Sequence, residues 1–381
     1  MKKLLFTISI FFLFIIKVNA LELTPNAKSS ILIEASTGEI IYEKNSTEEL
    51  APASMTKMMS LILIMEEIEK GNLKWDEIIR ISENAASMGG SQIYLEAGEE
   101  MSVNDLVKGI AMASANDAVV ALAERISGSE EEFVKEMNNK AKELNLENTN
   151  FENSTGLDSD NHYSSAKDMA LIAKELVKHK KILEFSSTYE DYLRQNTNKK
   201  FWLVNTNKLI KTYDGMDGLK TGFTEKAMYC LTATANRNNL RLIGVIMGEN
   251  TSKERNNEMA SMLNYGFNNY TVDSLFKKGD VIGKYENSKS RSINNDVIVN
   301  EDINILNKKG DSKRNIDYEV IIDNDKLPVK QNEVIGKLIA KENGKDLFSI
   351  DVVSKKDIKK ANIIELFIRN IGEFINGKNI F

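Results

Sequence analysis

The sequence predicts an α/β (α+β) chain that ends in a small all-β domain and an amphipathic helix. Three observations lead to this prediction. Helical periodicity dominates the stretch from residue 54 to residue 179. Short strand-like runs bounded by turn residues lie on either side of it, at 30–43 and 218–248. After Thr271, short β-like runs separated by Gly, Asn, Lys and Asp replace these patterns.

The elements follow in order along the chain. A β-hairpin is predicted over 30–43, with its turn at Ser36-Thr37-Gly38. The next segment, 54–70, is apolar on almost every side, as expected of a buried helix. A loop-rich stretch, 82–100, follows it. Further helices are predicted at 103–113, 117–126, 130–144, 165–179 and 254–265, and strands at 218–224, 229–235 and 240–248.

Composition restricts the classes of function. The 381 residues suggest two or three domains at about 150 residues each, and an apolar fraction of 42% is typical of a folded core. A net charge of −6 with interspersed signs argues against a nucleic-acid partner. One cysteine, Cys230, excludes an intrachain disulfide and a cysteine-ligated zinc site. With two histidines, acid–base chemistry is expected from Lys, Asp, Glu or hydroxyl groups.

The first 20 residues read as a secretory signal peptide. Lys2 and Lys3 precede an apolar-rich run, 4–16, and Val18-Asn19-Ala20 fits a cleavage site that leaves Leu21 as the first mature residue. The run is short for a membrane span, although an uncleaved anchor is the alternative. In both cases the body of the protein is expected outside the cytoplasm.

Ser54 and Lys57 are the first candidates for chemistry. On a helix, Ser and Lys three residues apart share a face, and a neutral Lys could take the hydroxyl proton. The same spacing begins at Ser164 and Ser274, where the neighbours are polar. Only the first pair opens a wholly apolar helix, so burial is expected to lower the pKa of Lys57.

Two further triplets are weaker signals when each is taken alone. Ser114 and Asn116 fall at a break between helices, where they could relay a proton and hold a peptide amide, or cap the following helix. Lys220, Thr221 and Gly222 lie on a predicted strand. Gly222 would let a substrate backbone approach that strand closely. The alternative is an ordinary edge strand with a solubilising Lys.

In this order, the three triplets resemble the three signatures of penicillin-binding proteins and serine β-lactamases. The closer resemblance, over roughly residues 24–270, is to D-alanyl-D-alanine carboxypeptidases, with further similar stretches at 51–57, 156–158, 163–170 and 215–224. It implies a β-lactamase-like catalytic domain, with an antiparallel sheet flanked by helices, over 21–272. It also implies a β-rich C-terminal domain over 273–355 and a membrane-anchor helix over 356–381.

By this resemblance Ser54 is the acylated nucleophile and Lys57 takes its proton. Ser114 relays a proton to the leaving amine, with Lys220 nearby. Attack on the D-Ala–D-Ala bond of a peptidoglycan pentapeptide releases D-Ala and leaves an acyl-enzyme, which water hydrolyses. β-Lactam antibiotics would acylate the same serine. The resemblance requires no metal or organic cofactor.

The resemblance also assigns recognition roles. Asn116 would hold the acyl-side amide, and Thr221 would bind the terminal carboxylate with help from the charge of Lys220. The backbone N–H groups of Ser54 and Phe223 would form the oxyanion hole.

Three other residues are treated separately. Some relatives carry an Arg near the terminal carboxylate, and whether Arg255 contributes here is left open. His162 is expected to be solvated, and Cys230 to be a buried strand residue.

The tail carries an apolar stripe preceded by lysines. The stripe comprises Ile363, Ile364, Phe367, Ile368, Ile371, Phe374 and Ile375. Lys355, Lys356, Lys359 and Lys360 precede it, and Arg369 lies off it. This pattern suits a helix lying in the plane of an anionic surface, here the outer face of the cytoplasmic membrane. A helix packed on its own β-domain is the alternative.

Three rival functions use the same residues. A class A-type β-lactamase would need a deacylating Glu, and the nearest fit to its motif, 143–147, lacks the expected Asn. A DD-endopeptidase could use the same machinery on cross-links. A catalytically silent peptidoglycan-binding protein would have no reason to retain all three triplets.

Overall fold

The computed structural model describes residues 21–312 and 314–375, and its side chains as far as Ile371. The predicted signal peptide, 1–20, lies outside the described residues. So do Lys313, the chain end at 376–381 and, of the predicted apolar stripe, the side chains of Phe374 and Ile375.

The first part of the chain mixes strands and helices. Its elements are β1 (Ser29–Glu34), β2 (Ile40–Lys44), a 3-10 helix (Ala53–Thr56), α1 (Lys57–Glu69), β3 (Ile78–Arg80), α2 (Glu83–Ala86), β4 (Glu100–Ser102), α3 (Val103–Ala113), α4 (Asn116–Ser127), α5 (Glu130–Glu143), α6 (Ala166–Leu176), α7 (Lys180–Ser186), β5 (Glu190–Leu193), β6 (Phe201–Val204), α8 (Leu209–Thr212), β7 (Met216–Thr224), β8 (Met228–Arg237), β9 (Leu240–Glu249) and α9 (Ser252–Asn269).

One five-stranded antiparallel sheet organises this part, with the strand order β2-β1-β9-β8-β7. β1 is buried along its whole length because it lies between β2 and β9, where Ile31 pairs with Val245. Helix α9 packs on β8 and β9, and α6 packs on β1 and β9. β7 is the edge strand, so one side of it is free to line a cleft.

Helix α1 is the buried centre of the helical layer. Every residue from Lys57 to Met65 is buried, as expected of a helix that is apolar on almost every side. The neighbouring helices α4, α5 and α6 cover it. The helix predicted to open at Ser54 instead begins with a 3-10 turn that contains this residue, and the α-helix proper starts at Lys57.

The region between the main helices contains more regular structure than the sequence predicted. The stretch 82–100, expected to be loop-rich, includes α2 and reaches β4, which pairs with β3. A second hairpin, β5–β6, was not predicted. Its Arg194 donates hydrogen bonds to the carbonyl oxygens of Ile93 and Tyr94 and pairs with Glu99 at 2.6 Å. These contacts fix the hairpin to the loop that follows α2.

The second part of the described chain is mostly β-structure. Its elements are β10 (Tyr270–Phe276), β11 (Val281–Glu286), β12 (Asn294–Val299), β13 (Ile303–Lys308), β14 (Ile316–Ile322), β15 (Val334–Glu342), β16 (Lys345–Ser354) and α10 (Ile363–Ile375). Five of the strands form an antiparallel sheet of order β11-β12-β16-β15-β14, and β10 pairs with β13. A separate apolar core, which includes Tyr285 and Leu338, lies beneath them.

Polar contacts join the two parts. The guanidinium group of Arg314 pairs with Glu39 of the β1–β2 turn at 2.6 Å and with Glu342 of β15 at 2.8 Å. Lys309 donates its backbone N–H to the carbonyl oxygen of Asn269 and its ammonium group to that of Phe267. The β-domain is therefore attached to the sheet domain at several points.

A tight contact holds the 3-10 turn of Ser54 against the loop at 153–156. Gly156 has a φ of +84°, and a Cβ atom there would lie 1.9 Å from the carbonyl oxygen of Ala53. Glycine is the residue that fits, because a side chain would meet the turn and would also strain the backbone. This contact sets the distance between the loop and the turn.

Gly156→Ala is expected to destabilise the protein by about 2–5 kcal/mol, since it adds a clash to the cost of a left-handed backbone. Gly128→Ala is the matched control, because Gly128 has a φ of +82° and nothing within 4 Å of a Cβ position. It should cost only about 1–2 kcal/mol. Urea unfolding of both variants measures the difference, and equal losses would contradict the packing role of Gly156.

Candidate active site

Ser54 and Lys57 meet at the start of the buried helix. The ammonium nitrogen Nζ of Lys57 lies 2.9 Å from Oγ of Ser54 and 2.6 Å from the carbonyl oxygen of Thr155. Lys57 is fully buried, whereas Ser54 is half-buried and lines a cavity. The two side chains are therefore in hydrogen-bond contact, with Ser54 facing the cleft and Lys57 buried behind it.

The electrostatic surroundings favour the neutral form of Lys57. Burial holds its pKa well below the usual range, and the positive charge of Lys220 lowers it further, while Asp117 has the opposite effect. A neutral amine has a lone pair that can accept the proton of the Ser54 hydroxyl. The prediction that burial lowers the pKa of Lys57 is therefore confirmed.

The carbonyl group that accepts from Lys57 is itself held in place. The side-chain oxygen of Asn153 accepts hydrogen bonds from the backbone and hydroxyl groups of Thr155 and from the backbone N–H of Gly156. The hydroxyl of Ser60, on α1, donates to the carbonyl oxygen of Ser154 at 2.7 Å. In the sequence, Gly156 lies in a family-like stretch, but no motif assigns a role to residues 153–155, because their contribution is a backbone carbonyl group.

Ser114 and Asn116 lie at the junction of α3 and α4, where Ser114 lines the cavity. Ser114 ends α3 in the left-handed conformation, and Oγ of Ser114 is buried with no hydrogen-bond partner among the described residues. Nδ2 of Asn116 donates to the carbonyl oxygen of Gly89 at 2.6 Å, while its Oδ1 is buried and without a partner in that same part of the chain. Neither residue caps α4, whose N-cap is Ala115.

The capping alternative for this triplet therefore fails. Ser102, Ser129 and Ser165 do cap their helices through side-chain hydrogen bonds, so the chain uses serine for that purpose elsewhere. Unpaired buried hydroxyl and carboxamide groups cost free energy unless a ligand completes them. Their arrangement indicates a binding wall with unused hydrogen-bonding capacity.

Edge strand β7 lines the cavity with Thr221 and carries Lys220 next to it. Lys220 is buried, with Nζ 3.0 Å from the carbonyl oxygen of Thr221. Burial lowers the pKa of Lys220 to about 7, with a further contribution from the positive charge of Arg255. The Thr221 hydroxyl donates to that of Thr206 at 2.8 Å.

Gly222 and Phe223 complete this strand. A Cβ atom on Gly222 would lie 2.8 Å from the carbonyl oxygen of Pro52 and 3.1 Å from Cβ of Ala53. The missing side chain thus lets the strand pack against the 3-10 turn of Ser54, whereas we expected it to admit substrate backbone. Phe223 is 54% exposed at the cavity rim and packs on Tyr229 with ring centroids 4.4 Å apart.

Arg255, left open by the sequence, lies in the cavity. It begins the second turn of α9, is 95% buried, and donates to the carbonyl oxygen of Cys230 and the side chain of Asn256. The cavity has a volume of about 340 Å³. Its lining residues are Ser54, Ser91, Ser114, Thr206, Lys208, Thr221, Gly222, Phe223, Tyr229, Ser252, Arg255 and Asn256.

The expected and observed sites differ in two ways. Lys57, Asn116 and Lys220 are absent from the cavity lining, although Lys57 contacts Ser54 directly. Six of the lining residues were not predicted: Ser91, Thr206, Lys208, Tyr229, Ser252 and Asn256. They come from turns and element ends that carry no recognisable motif, so only the folded chain brings them to the cleft.

The expectation that His162 is solvated was wrong. The ring is 97% buried, with Nε2 2.8 Å from the hydroxyl of Thr56 and Nδ1 accepting from the backbone N–H of Glu152. Burial lowers the pKa of His162 to about 4, so the ring is neutral at pH 7. Its contact with Thr56 supports the 3-10 turn that contains Ser54. Cys230 is buried in β8, as predicted.

Comparisons with known proteins agree with this geometry. Residues 17–251 match the family described as D-alanyl-D-alanine carboxypeptidase, and residues 270–360 match the C-terminal domain of penicillin-binding protein 5. The chain is 51% identical over 358 residues to the D-alanyl-D-alanine carboxypeptidase DacF of Bacillus subtilis, which covers 94% of this chain and 92% of that protein. The chain belongs to the D-alanyl-D-alanine carboxypeptidase family.

Solved structures of related proteins share this architecture. Penicillin-binding protein 5 from Haemophilus influenzae is 31% identical with a TM-score of 0.69, covering 88% of this chain and 98% of that one. Penicillin-binding protein D2 from Listeria monocytogenes, in its ampicillin-bound form, is 32% identical with a TM-score of 0.57, covering 64% of this chain and 98% of that one. The predicted fold and activity are confirmed: this carboxypeptidase is a serine-type D-Ala-D-Ala hydrolase.

The charge of Arg255 gives a test of the site's electrostatics. Because a neighbouring positive charge lowers the pKa of Lys220, Arg255→Ala should raise that pKa from about 7. The alkaline limb of kcat/KM should then move to higher pH, if protonated Lys220 is the form that attracts a substrate carboxylate.

Steady-state kinetics across pH measure this shift on a peptide ending in D-Ala-D-Ala. KM should also rise by about tenfold or more, since a charged hydrogen bond is worth about 1.5–3 kcal/mol. Arg237→Ala serves as the control, because Arg237 pairs with Asp214 and is not among the cavity-lining residues. An alkaline limb that stays in place in Arg255→Ala would contradict the coupling.

Proposed function

We propose that Ser54 is the nucleophile of the carboxypeptidase and Lys57 its general base. The observation that supports this most directly is the 2.9 Å contact between the Lys57 amine and the Ser54 hydroxyl, made by an amine whose pKa is held well below the usual range by burial. The amine is buried and the hydroxyl faces the cavity, so proton transfer is directed from nucleophile to base.

Acylation follows from this geometry. Oγ of Ser54 attacks the carbonyl carbon of the penultimate D-Ala as its proton passes to Nζ of Lys57. The backbone N–H groups of Ser54 and Phe223 would stabilise the oxyanion, a contribution of about 2.7–4 kcal/mol per donor in other acyl-transfer enzymes. Ser114 relays a proton to the departing nitrogen, the C–N bond breaks, and free D-Ala leaves.

In deacylation, Lys57 is again the base and water replaces the Ser54 hydroxyl as the nucleophile. Lys57, neutral again, takes a proton from a water molecule whose oxygen attacks the ester carbonyl carbon. The ester C–O bond breaks, and the proton returns to Oγ of Ser54. The shortened peptide is formed as the carboxylic acid, which loses its remaining proton to solvent and leaves as a carboxylate. Each half-reaction uses the same base and oxyanion site.

Substrate recognition uses the unpaired groups on the walls. Oδ1 of Asn116 has no partner within the described chain, so it can accept the acyl-side amide N–H. Thr221 and Arg255 also line the cavity, where they would hold the terminal carboxylate. We propose that the substrate is the peptidoglycan pentapeptide ending in D-Ala-D-Ala.

β-Lactam antibiotics would occupy the same cleft and acylate Ser54. The ampicillin-bound relative from Listeria supports this proposal, because it shares 32% of aligned residues and the fold. A β-lactamase activity is not favoured here. The nearest candidate for a deacylating carboxylate, Glu143, ion-pairs with Lys140 at the end of α5 and is not a cavity residue.

Fluorescent penicillin labelling tests the nucleophile. Ser54→Ala should abolish labelling, since it removes the atom that is acylated. Ser274→Ala is the matched control, because Ser274 has the same spacing to a lysine but is exposed on β10. It should label like the wild type. Labelling that survives in Ser54→Ala would overturn the assignment, and circular dichroism establishes that both variants are folded.

We further propose that the protein is exported and rests on the outer face of the cytoplasmic membrane through α10. Among the described residues no helix is long and apolar enough to cross a membrane. α10 nevertheless exposes an apolar face, with Ile363 85%, Ile364 68%, Phe367 63% and Ile368 65% exposed. A helix of this kind binds in the plane of a lipid surface.

The proposed arrangement has a catalytic domain over 21–272, a β-domain over 273–355 and the anchor over 356–381. The separate family matches and the separate cores of the two main parts support this division.

Truncation of the chain at Lys356 should move the protein from the membrane fraction to the soluble fraction, because the apolar face is removed. Replacing Ile364 and Phe367 with Ser in the full chain should have the same effect without shortening it. Fractionation followed by penicillin labelling measures both location and intact folding. Unchanged partitioning of both variants would show that α10 is not the anchor.

A further inference from the structure

The polar face of α10 is fixed to the β-domain. The guanidinium group of Arg369 donates to three backbone carbonyl oxygens of the β11–β12 loop, those of Ser288, Ser290 and Arg291, at 2.7–3.0 Å. One turn earlier, Glu365 pairs with the side chain of Arg291 at 2.8 Å. Since residues four apart share one face of a helix, both contacts lie on the same side.

The segment leading into α10 is also tied down by backbone hydrogen bonds. Ile358 and Val329 exchange a pair of them, at 2.8 and 3.0 Å. The N–H of Arg291 donates to the carbonyl oxygen of Lys359, and the N–H of Ala361 donates to that of Lys289. The segment 358–361 is therefore hydrogen-bonded to the β-domain like an added strand and differs from a flexible linker. As a result, α10 leaves the β-domain in a fixed direction.

The opposite face of α10 points away from the protein. Phe367, Ile368 and Ile371 are exposed there, while Glu365 and Arg369 are partly buried against the β11–β12 loop. The segment before the helix and the β11–β12 loop carry more exposed cations than anions. The cations that pair with no carboxylate of the described residues are Lys289, Lys356, Lys359 and Lys360, and Asp357 is the exposed anion among them. An apolar stripe within a cationic rim is complementary to a bilayer that contains anionic lipid.

We propose that α10 and the adjoining loop form one rigid lipid-binding surface that fixes the orientation of the catalytic cleft relative to the bilayer, with Arg369 as the positioning residue. This inference rests on the proposed membrane association and adds to it. A flexible tether would allow the enzyme every orientation relative to the membrane. A helix attached to the β-domain through its polar face allows a single orientation.

Contacts between the β-domain and the catalytic part link the orientation of α10 to that of the cleft. Arg314 joins the β-domain to Glu39 of the catalytic sheet domain, and Lys309 joins it to the end of α9. α9 in turn carries Arg255, which lines the cavity. The helix, the β-domain and the cleft are thus connected by ion pairs and hydrogen bonds at each junction.

Energy transfer to labelled vesicles tests the orientation. A donor dye is placed on Glu225→Cys, an exposed position in the β7–β8 turn, and the acceptor is a head-group-labelled lipid in phosphatidylglycerol–phosphatidylcholine vesicles. Cys230 is buried, so it should take up little dye, and a chain without the new cysteine measures that background. The wild type should give one narrow distribution of transfer efficiency.

Arg369→Ala should broaden this distribution while leaving activity on a soluble D-Ala-D-Ala peptide unchanged. Lys356→Ala is the matched control, because it removes one charge from the same surface without releasing the helix. Both variants should bind vesicles at most about fivefold more weakly, the effect of one cation. Only Arg369→Ala should lower, by several-fold, the rate on a vesicle-displayed pentapeptide. Glu365→Ala, which removes the Arg291 pair, provides a second release variant should Arg369→Ala fold poorly.

The outcomes separate the two proposals. A narrow, wild-type distribution in both release variants, or a broad one in the wild type itself, would overturn the fixed orientation while leaving the anchor intact. If the wild type does not bind vesicles at all, the membrane association fails and the inference fails with it. Concentration-dependent dimers that lose their contact in the Ile364 and Phe367 variant would instead identify a second copy of the chain as the occupant.

Discussion

The cleft depends on the charge state of one buried amine. Lys57 lies inside the apolar centre of the helical layer, where an ammonium group is poorly solvated. Among the described residues its amine contacts the hydroxyl of Ser54, which faces the cavity, and the backbone carbonyl of Thr155. The 3-10 turn of Ser54, the loop at 153–156 and the neutral ring of His162 hold these partners at hydrogen-bonding distance.

Near this amine, some buried polar groups lower the stability of the fold because they lack hydrogen-bond partners, and the same groups remain free to bind a ligand. Oγ of Ser114 and Oδ1 of Asn116 are buried without partners within the described chain, and each such group costs about 1–3 kcal/mol. Serine side chains cap helices elsewhere in the chain, for example Ser102 on α3 and Ser165 on α6. Ser114 and Asn116 are thus two of several buried polar groups that lack a partner in the described chain, and they are the two that belong to the triplet beside the cleft.

Periodicity predicted the elements that have strong apolar patterns. Helix α3 was expected over 103–113 and found there, and strands β7 to β9 lie within two residues of their predicted limits. The β5–β6 hairpin was missed because its strands are only four residues long, too short to show a clear alternation. The site motifs were visible, but the burial of His162 and the place of Arg255 depend on contacts between residues far apart in sequence, which no local pattern records.

The position of β1 has a consequence for how the chain is made. This strand lies inside the sheet, next to the central strand β9, which follows about 200 residues later, so its ladder pairs the start of the domain with its end. A nascent chain cannot complete the sheet until residues 240–249 have been synthesised. The β1–β2 hairpin can pair early, but the sheet stays incomplete until β9 follows. Such a delay would suit the proposed export, in which the chain crosses the membrane unfolded and assembles on the far side.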